Sequence, residues 1–269
     1  MKLSYAVSFQ KTGFKFIAQG DWVSKAKILA SLGYDGIELS IRNPEEKNIA
    51  RDIEKALHRY NLKLSAIGTG QMLIDDGLSL SSLKQDIRNR AIGRIKKHID
   101  LAKRFDTQVI VGLARGGRIN LSQPLAQYRK NLKDSFKKLL SYIDKQKVII
   151  TVEAVNRYET SFLSRIDEVL DFIAEFNCQF IRILADTFHM NIEESNLRDS
   201  IIKAKKYLSY VHLADSNRLC PGMGHIDFKE VIATLRKIGY KDYLSAEILH
   251  STDFKTSAKK FSNHIRRLL

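Results

Sequence analysis

Eight short apolar runs, rich in β-branched residues, alternate along the chain with longer segments whose apolar residues recur at helical spacing. The short runs are typical of buried strands, and the longer segments are typical of amphipathic helices. The predicted strands are 3–7, 36–41, 62–67, 108–113, 148–153, 180–186, 210–213 and 243–248. The predicted helices are 22–32, 45–60, 84–105, 124–145, 165–176, 197–207, 227–238 and 254–268.

Strict alternation of eight strands with eight helices predicts an α/β fold, a single (β/α)₈ TIM barrel covering residues 1–269. An open doubly wound sheet is the structural alternative. It is disfavoured because no G-x-G-x-x-G motif follows the first strand. Only three prolines and no Gly/Ser-rich tract occur in the chain, so we expect no linker and one domain.

The net charge of +15 raises the question of nucleic-acid binding. The lysines and arginines are spread over every helical segment, however, which is typical of solvated helix faces. We therefore expect no nucleic-acid partner. No apolar stretch approaches the length of a membrane span, and the two cysteines form neither a disulfide framework nor a C-x-x-C pair. We expect a cytoplasmic protein without membrane contact.

Four consecutive predicted strands end in an ionisable residue. Strands five, six, seven and eight reach Glu153, Asp186, His212 and Glu247 respectively. Strand ends of one barrel face meet at one rim, where (β/α)₈ enzymes place their active sites. Facing carboxylates repel unless a cation lies between them. Three carboxylates and one imidazole therefore predict a divalent metal site suited to Mg²⁺, Mn²⁺ or Co²⁺.

Several runs resemble the ketose 3-epimerases, the tagatose and psicose 3-epimerase group of the xylose-isomerase-like barrel superfamily. The resemblance rests on EAVNRYE at 153–159, DTFHMNIEE at 186–194, HLADSNR at 212–218 and PGMGHIDF at 221–228. A narrower similarity, to the 5-keto-L-gluconate epimerase subgroup, rests on segments 66–71, 76–80 and 111–116. Arg115 in the last of these is interpreted either as the group that holds a substrate carboxylate or as an exposed loop arginine.

The resemblance implies a metal-dependent isomerase of carbohydrate metabolism that inverts a hydroxyl-bearing carbon beside a ketone. Its substrate would be a ketohexose or a keto sugar acid. One divalent ion, Mn²⁺ in the first instance, would be held by Glu153, Asp186, His212 and Glu247. Glu153 and Glu247 would also exchange the proton through an enediolate. The family often forms homodimers or homotetramers.

Three further residues are expected at the sugar by the same resemblance. Glu159, His189 and Arg218 would contact substrate oxygens, with His189 in a loop after the sixth strand. Glu159 and Arg218 have the alternative of pairing with each other. Glu38, at the end of strand two, has no assigned role, and His98, in a helical segment, is expected on the surface.

Three other functions fit parts of this pattern. An aldose–ketose isomerase similar to hydroxypyruvate isomerase shares much of the metal quartet. A nuclease similar to endonuclease IV would need extra histidines after strands three and four, where the chain has Gly68-Thr69-Gly70 and Gly112-Leu113. A non-catalytic sugar-binding barrel would not need two opposed glutamates.

Overall fold

The barrel is closed and parallel, with its strands in chain order and β8 paired with β1. The computed structural model describes residues 1–120, 122–250 and 252–269. Its strands are β1 Lys2–Ser8, β2 Gly36–Ser40, β3 Lys63–Gly68, β4 Val109–Val111, β5 Ile150–Glu153, β6 Ile181–Asp186, β7 Leu208–Leu213 and β8 Tyr243–Ala246. The predicted TIM barrel is confirmed.

Helices surround the barrel and bury their apolar faces against the outer side of the strands. They are α1 Trp22–Ser31, α2 Ile49–Tyr60, α3 Gln71–Asp76, α4 Gln85–Arg104, α5 Leu125–Gln146, α6 Ile166–Ala174, α7 Thr187–Glu193, α8 Leu197–Ala204, α9 Phe228–Lys237 and α10 Phe254–Leu268. Within the described ranges, no helix is both long and apolar enough to cross a membrane.

The barrel interior is filled below the site. Ala66, Ile110, Leu184 and Tyr210 pack together there, and all four are at most 4% exposed. The Tyr210 hydroxyl shares a hydrogen bond of 2.7 Å with the Ser65 hydroxyl. Side chains two residues apart on a strand point to the same face, so Tyr210 sits directly beneath His212. This packed layer gives the site a rigid floor.

The structure departs from the predicted elements in four places. Two short helices, α3 and α7, occupy segments that were not predicted to be helical, and α2 begins at Ile49 rather than at 45. Strand β4 is only three residues long, because the chain turns into a 3₁₀ helix at Leu113–Arg115. His98 was wrongly expected on the surface. It is fully buried in α4, with one ring nitrogen 2.7 Å from the carbonyl oxygen of Ile41.

Candidate active site

The four ionisable strand-end residues converge at the carboxyl rim of the barrel. Glu153 and Asp186 are the last residues of β5 and β6, His212 lies in β7 beside Asp186, and Glu247 follows β8. His212 Nδ1 lies 3.5 Å from Glu153 Oε1, 3.8 Å from Asp186 Oδ2 and 3.8 Å from Glu247 Oε2. All four residues are at most 7% exposed.

Three buried atoms in this group have no hydrogen-bond partner among the described residues. They are Glu153 Oε1, Asp186 Oδ2 and His212 Nδ1. Buried polar atoms without partners are costly and rare in folded proteins. Here they face one another, and each is a possible metal ligand. A divalent cation among them would satisfy all three at once, so the residues fit the predicted metal ion.

Glu38 supports His212 from the opposite wall of the barrel. Its Oε2 lies 3.0 Å from His212 Nε2 and accepts a hydrogen bond of 2.7 Å from Ser245 Oγ. The Glu38 carboxylate at Nε2 orients the ring so that Nδ1 points to the centre, as is common for metal-binding histidines. Glu38 is the residue whose role the sequence did not reveal, since its partner is 174 positions away.

His189 lies in helix α7, so the prediction that it belongs to a loop is wrong. Asp186 begins this helix as its N-cap, with Oδ1 accepting a hydrogen bond of 2.8 Å from Phe188 N. His189 Nε2 points toward the same centre, 3.6 Å from Asp186 Oδ2 and 3.8 Å from Glu153 Oε1. Ligand atoms of His189, Glu153, Asp186 and Glu247 all lie within 4.8 Å of one another, whereas His212 meets this limit with Glu38 and Glu247. Distance alone therefore does not select His212 over His189 as the nitrogen ligand.

Arg218 bridges two carboxylates at the edge of the cavity. It donates 2.7 Å to Glu159 Oε1 and 2.8 Å to Glu247 Oε2. Its guanidinium is stacked between two rings, 4.0 Å from the centroid of Phe16 and 4.7 Å from that of Phe188. Glu159 and Arg218 thus pair with each other, and both line the cavity, while their contact with a substrate stays a prediction.

Arg115 was expected either to hold a substrate carboxylate or to lie exposed in a loop, and both interpretations are wrong. It is 0% exposed and donates to the main-chain carbonyl oxygens of Glu153, Phe162 and Leu163. The guanidinium is therefore used to fix the backbone where β5 ends. It does not line the cavity.

Burial raises the pKa values of two carboxyl groups in the metal-free protein. Desolvation, reinforced by Glu153, raises the pKa of Asp186 to about 7 and that of Glu247 to about 8. His212 and Arg218 act in the opposite direction but do not offset the effect. In the metal-free protein these two carboxyl groups therefore keep their protons up to about neutral pH, and a cation bound between them would favour their ionised forms.

The cavity above this centre has two unlike halves. About 450 Å³ there is free of protein atoms, a volume that includes open solvent at the mouth. We call the ends of β5 to β8 the charged half, comprising Glu153, Asp186, His212 and Glu247. We call the ends of β2 to β4 the small half, comprising Ser40, Gly68 and Gly112. The outer wall is apolar and consists of Phe14, Ile17, Leu113 and Val155.

This chain belongs to the xylose isomerase-like TIM barrel family, whose model matches residues 26–268. The superfamily resemblance seen in the motifs is thereby confirmed.

Several similar proteins are sugar epimerases. An L-ribulose 3-epimerase of Methylomonas sp. is 27% identical, over 89% of this chain and 84% of that protein. A 3-dehydro-D-guloside 4-epimerase of Escherichia coli is 25% identical, over 84% of this chain and 86% of that protein. The fold matches that of a D-allulose 3-epimerase from Methylomonas sp. in complex with D-allulose, with a TM-score of 0.83, 24% identity and coverage of 100% and 98%. These relatives agree with the expected enzyme class, isomerase.

Proposed function

We propose that the protein is a divalent-metal-dependent epimerase that inverts the hydroxyl-bearing carbon next to the ketone of a sugar. The observation that carries the proposal is the pair of buried glutamates, Glu153 and Glu247. They share one centre with Asp186, and their carboxylates lie 3.5 and 3.8 Å from His212 Nδ1. The relatives support it chemically. A 3-epimerase acting on a 2-ketose and a 4-epimerase acting on a 3-dehydro sugar both invert the carbon adjacent to a carbonyl group.

Inversion at such a carbon requires one proton acceptor and one proton donor on different sides of a planar enediolate. Glu153 and Glu247 come from β5 and β8, on either side of β6 and β7, so they approach the centre from different directions. One carboxylate removes the proton from the carbon, and the other, protonated, returns a proton to the opposite face. In the reverse direction the two exchange roles.

The remaining residues hold the ion and the sugar. Glu153, Asp186, His212 and Glu247 would hold one divalent ion, Mn²⁺ in the first instance with Mg²⁺ or Co²⁺ as alternatives. When bound, such an ion acts as a Lewis acid that stabilises negative charge developing on the sugar oxygens. Glu159, His189 and Arg218 line the cavity and would bind hydroxyl and carbonyl oxygens.

A neutral ketose fits the cavity better than a keto sugar acid. Arg218 is the one arginine or lysine among the described residues that line it, and two carboxylates already bind its guanidinium. A substrate carboxylate would need a free cation to offset its desolvation. We therefore place a neutral ketose, of the ribulose or allulose type, ahead of a ketogluconate.

The test is proton exchange in D₂O with the Mn²⁺-loaded protein, read by NMR after the metal is removed. The panel contains fructose, allulose, tagatose, ribulose, tagaturonate and 5-ketogluconate. We expect deuterium at the carbon beside the ketone together with formation of the epimer. Glu153→Gln and Glu247→Gln should each lower the rate by about 10³-fold or more, since each removes one of the two proton-transfer groups.

The products also separate the proposal from its rivals. An aldose product would indicate an isomerase of the hydroxypyruvate isomerase type. Binding without exchange would indicate a sugar-binding barrel, and cleavage of abasic DNA would indicate a nuclease. A cytoplasmic location, the absence of a nucleic-acid partner and a homodimeric or homotetrameric assembly remain predictions.

A further inference from the structure

Two histidines face the centre, and Asn156 contacts one of them from outside it. Asn156 is 1% exposed, and its Nδ2 lies 2.7 Å from His189 Nδ1. The same amide nitrogen donates 3.2 Å to Glu159 Oε1. Asn156 has no contact with the four proposed metal ligands among the hydrogen bonds of the described residues, so its effect must pass through His189 and Glu159.

The orientation of the Asn156 amide is set by the main chain. Its Oδ1 accepts a hydrogen bond of 2.9 Å from the backbone N–H of Tyr158. A backbone N–H can only donate, so the atom that it contacts must be the carbonyl oxygen. The NH₂ group consequently points toward His189, and the flipped amide would place two donors against each other at Tyr158.

A donor at Nδ1 determines which nitrogen of His189 carries the proton. An amide NH₂ donates but cannot accept, so Nδ1 must supply a lone pair and the neutral ring must be protonated at Nε2. His189 therefore presents an N–H to the cavity and has no lone pair to offer a cation.

The partner of His212 favours the opposite arrangement, in which the ring nitrogen that faces the centre carries the lone pair. Its Nε2 faces Glu38, a carboxylate that accepts the Nε2 proton, so in the neutral ring the lone pair lies on Nδ1, toward the centre. Of the two rings, only His212 thus presents a bare nitrogen to Glu153 and Asp186. The group behind each ring thus determines its role. The Asn156 amide makes His189 a hydrogen-bond donor, and the Glu38 carboxylate makes His212 a metal ligand.

We propose that Asn156 is a positioning residue that fixes His189 as an Nε2–H donor to a substrate oxygen and keeps it from binding the metal. The part that concerns the sugar rests on the proposed function, whereas the tautomer of His189 does not. An error in the function would therefore leave the spectroscopic result unchanged.

The decisive variant is Asn156→Asp, which is nearly isosteric and replaces the NH₂ donor with an acceptor oxygen. The ring proton of His189 should move to Nδ1, leaving Nε2 bare toward the centre. Long-range ¹H–¹⁵N spectra of histidine-labelled protein report the tautomer directly, without any turnover. Seven histidines contribute, and His189→Gln assigns the signal. Spectra are recorded for the metal-free and the Mg²⁺-loaded protein.

In the wild type we expect the Nε2–H tautomer, and in Asn156→Asp the Nδ1–H tautomer. The KM for the preferred ketose should rise about tenfold, the loss expected when one buried hydrogen bond fails. Asn156→Ala removes the donor without adding a charge and should give a mixture of the two tautomers. Asn196→Asp, at the exposed N-cap of α8, adds the same charge elsewhere. It should change neither the tautomer of His189 nor the KM.

An Nδ1–H signal for His189 in the wild type would overturn the proposal. So would an Nε2–H signal that persists in Asn156→Asp, because the asparagine would then have a structural role only. A tautomer that changes as expected while KM stays constant would contradict the contact between His189 and the sugar.

Discussion

The two halves of the barrel mouth are built for different tasks. The charged half presents three carboxylates and an imidazole, whereas the small half presents one serine and two glycines at equivalent strand ends. Glu38 is the acidic exception in β2: it lines the cavity, and its carboxylate contacts His212. The ionisable groups therefore come mainly from one half of the barrel and the small residues from the other.

Gly112 lies where the two halves meet and should be the most sensitive position of the small half. A Cβ at Gly112 would lie 2.3 Å from Glu153 Oε2, closer than any real contact. Gly112→Ala must therefore displace the Glu153 carboxylate, and we expect activity to fall about 10²-fold or more with weaker Mn²⁺ binding. Turnover assays and metal titration measure both effects.

Gly68→Ala is the matched control on the neighbouring strand. Its Cβ would meet only Ser40, at 3.5 Å, an ordinary van der Waals distance. We expect unchanged Mn²⁺ affinity and at most a rise in KM as the cavity shrinks. Equal losses of metal binding in the two variants would contradict the assignment of different tasks to the two halves.

A smaller effect than those of the glycine variants is the pH dependence of stability that the charged half causes in the metal-free protein. The pKa of Asp186 is raised to about 7, from an ordinary value near 3.8. A carboxyl group with a raised pKa binds its proton more tightly in the folded chain than in the unfolded chain. Its stabilisation is complete below the ordinary pKa and is lost as the pH rises through about 7. The melting temperature of the metal-free protein should therefore fall between about pH 4, near the ordinary pKa values, and about pH 8, near the higher of the raised ones.

Asp186→Asn should reduce this loss, because an amide cannot ionise and its oxygen can still accept the hydrogen bond from Phe188 N. We expect the metal-free variant to melt higher than the metal-free wild type at pH 8, with a smaller difference at pH 5. Asp144→Asn, on the exposed face of α5, controls for the loss of one charge. If the melting temperature depends on pH in the same way in wild type and Asp186→Asn, the ionisation of Asp186 does not destabilise the metal-free protein.

The barrel and the charged half could be predicted from sequence because both depend on local patterns. Each strand is an apolar run, and each predicted metal ligand is the ionisable residue at its end. Helix α7 was missed because seven residues are too few to show periodicity, although Asp186 is a good N-cap. His98 could have been placed in the core, since it falls at helical spacing with Ile95 and Ala102.

The missed roles depend on partners far away in the chain. Arg115 is an arginine beside a strand end, and nothing local shows that its guanidinium binds the backbone 38 to 48 residues further on. The role of Glu38 likewise cannot be inferred without knowing that it contacts His212. Such pairings are set by the closure of the barrel, which brings β2 and β7 to face each other across its interior.

The central claim is that the charged half binds one divalent ion, and metal stoichiometry tests it most directly. Metal-free protein would be titrated with Mn²⁺ by calorimetry, and the bound ion would be counted by elemental analysis after dialysis. We predict one ion per chain for the wild type. For Asp186→Asn we predict that the affinity for Mn²⁺ falls by about a hundredfold or more. No bound ion, or equal affinity in wild type and Asp186→Asn, would contradict the account.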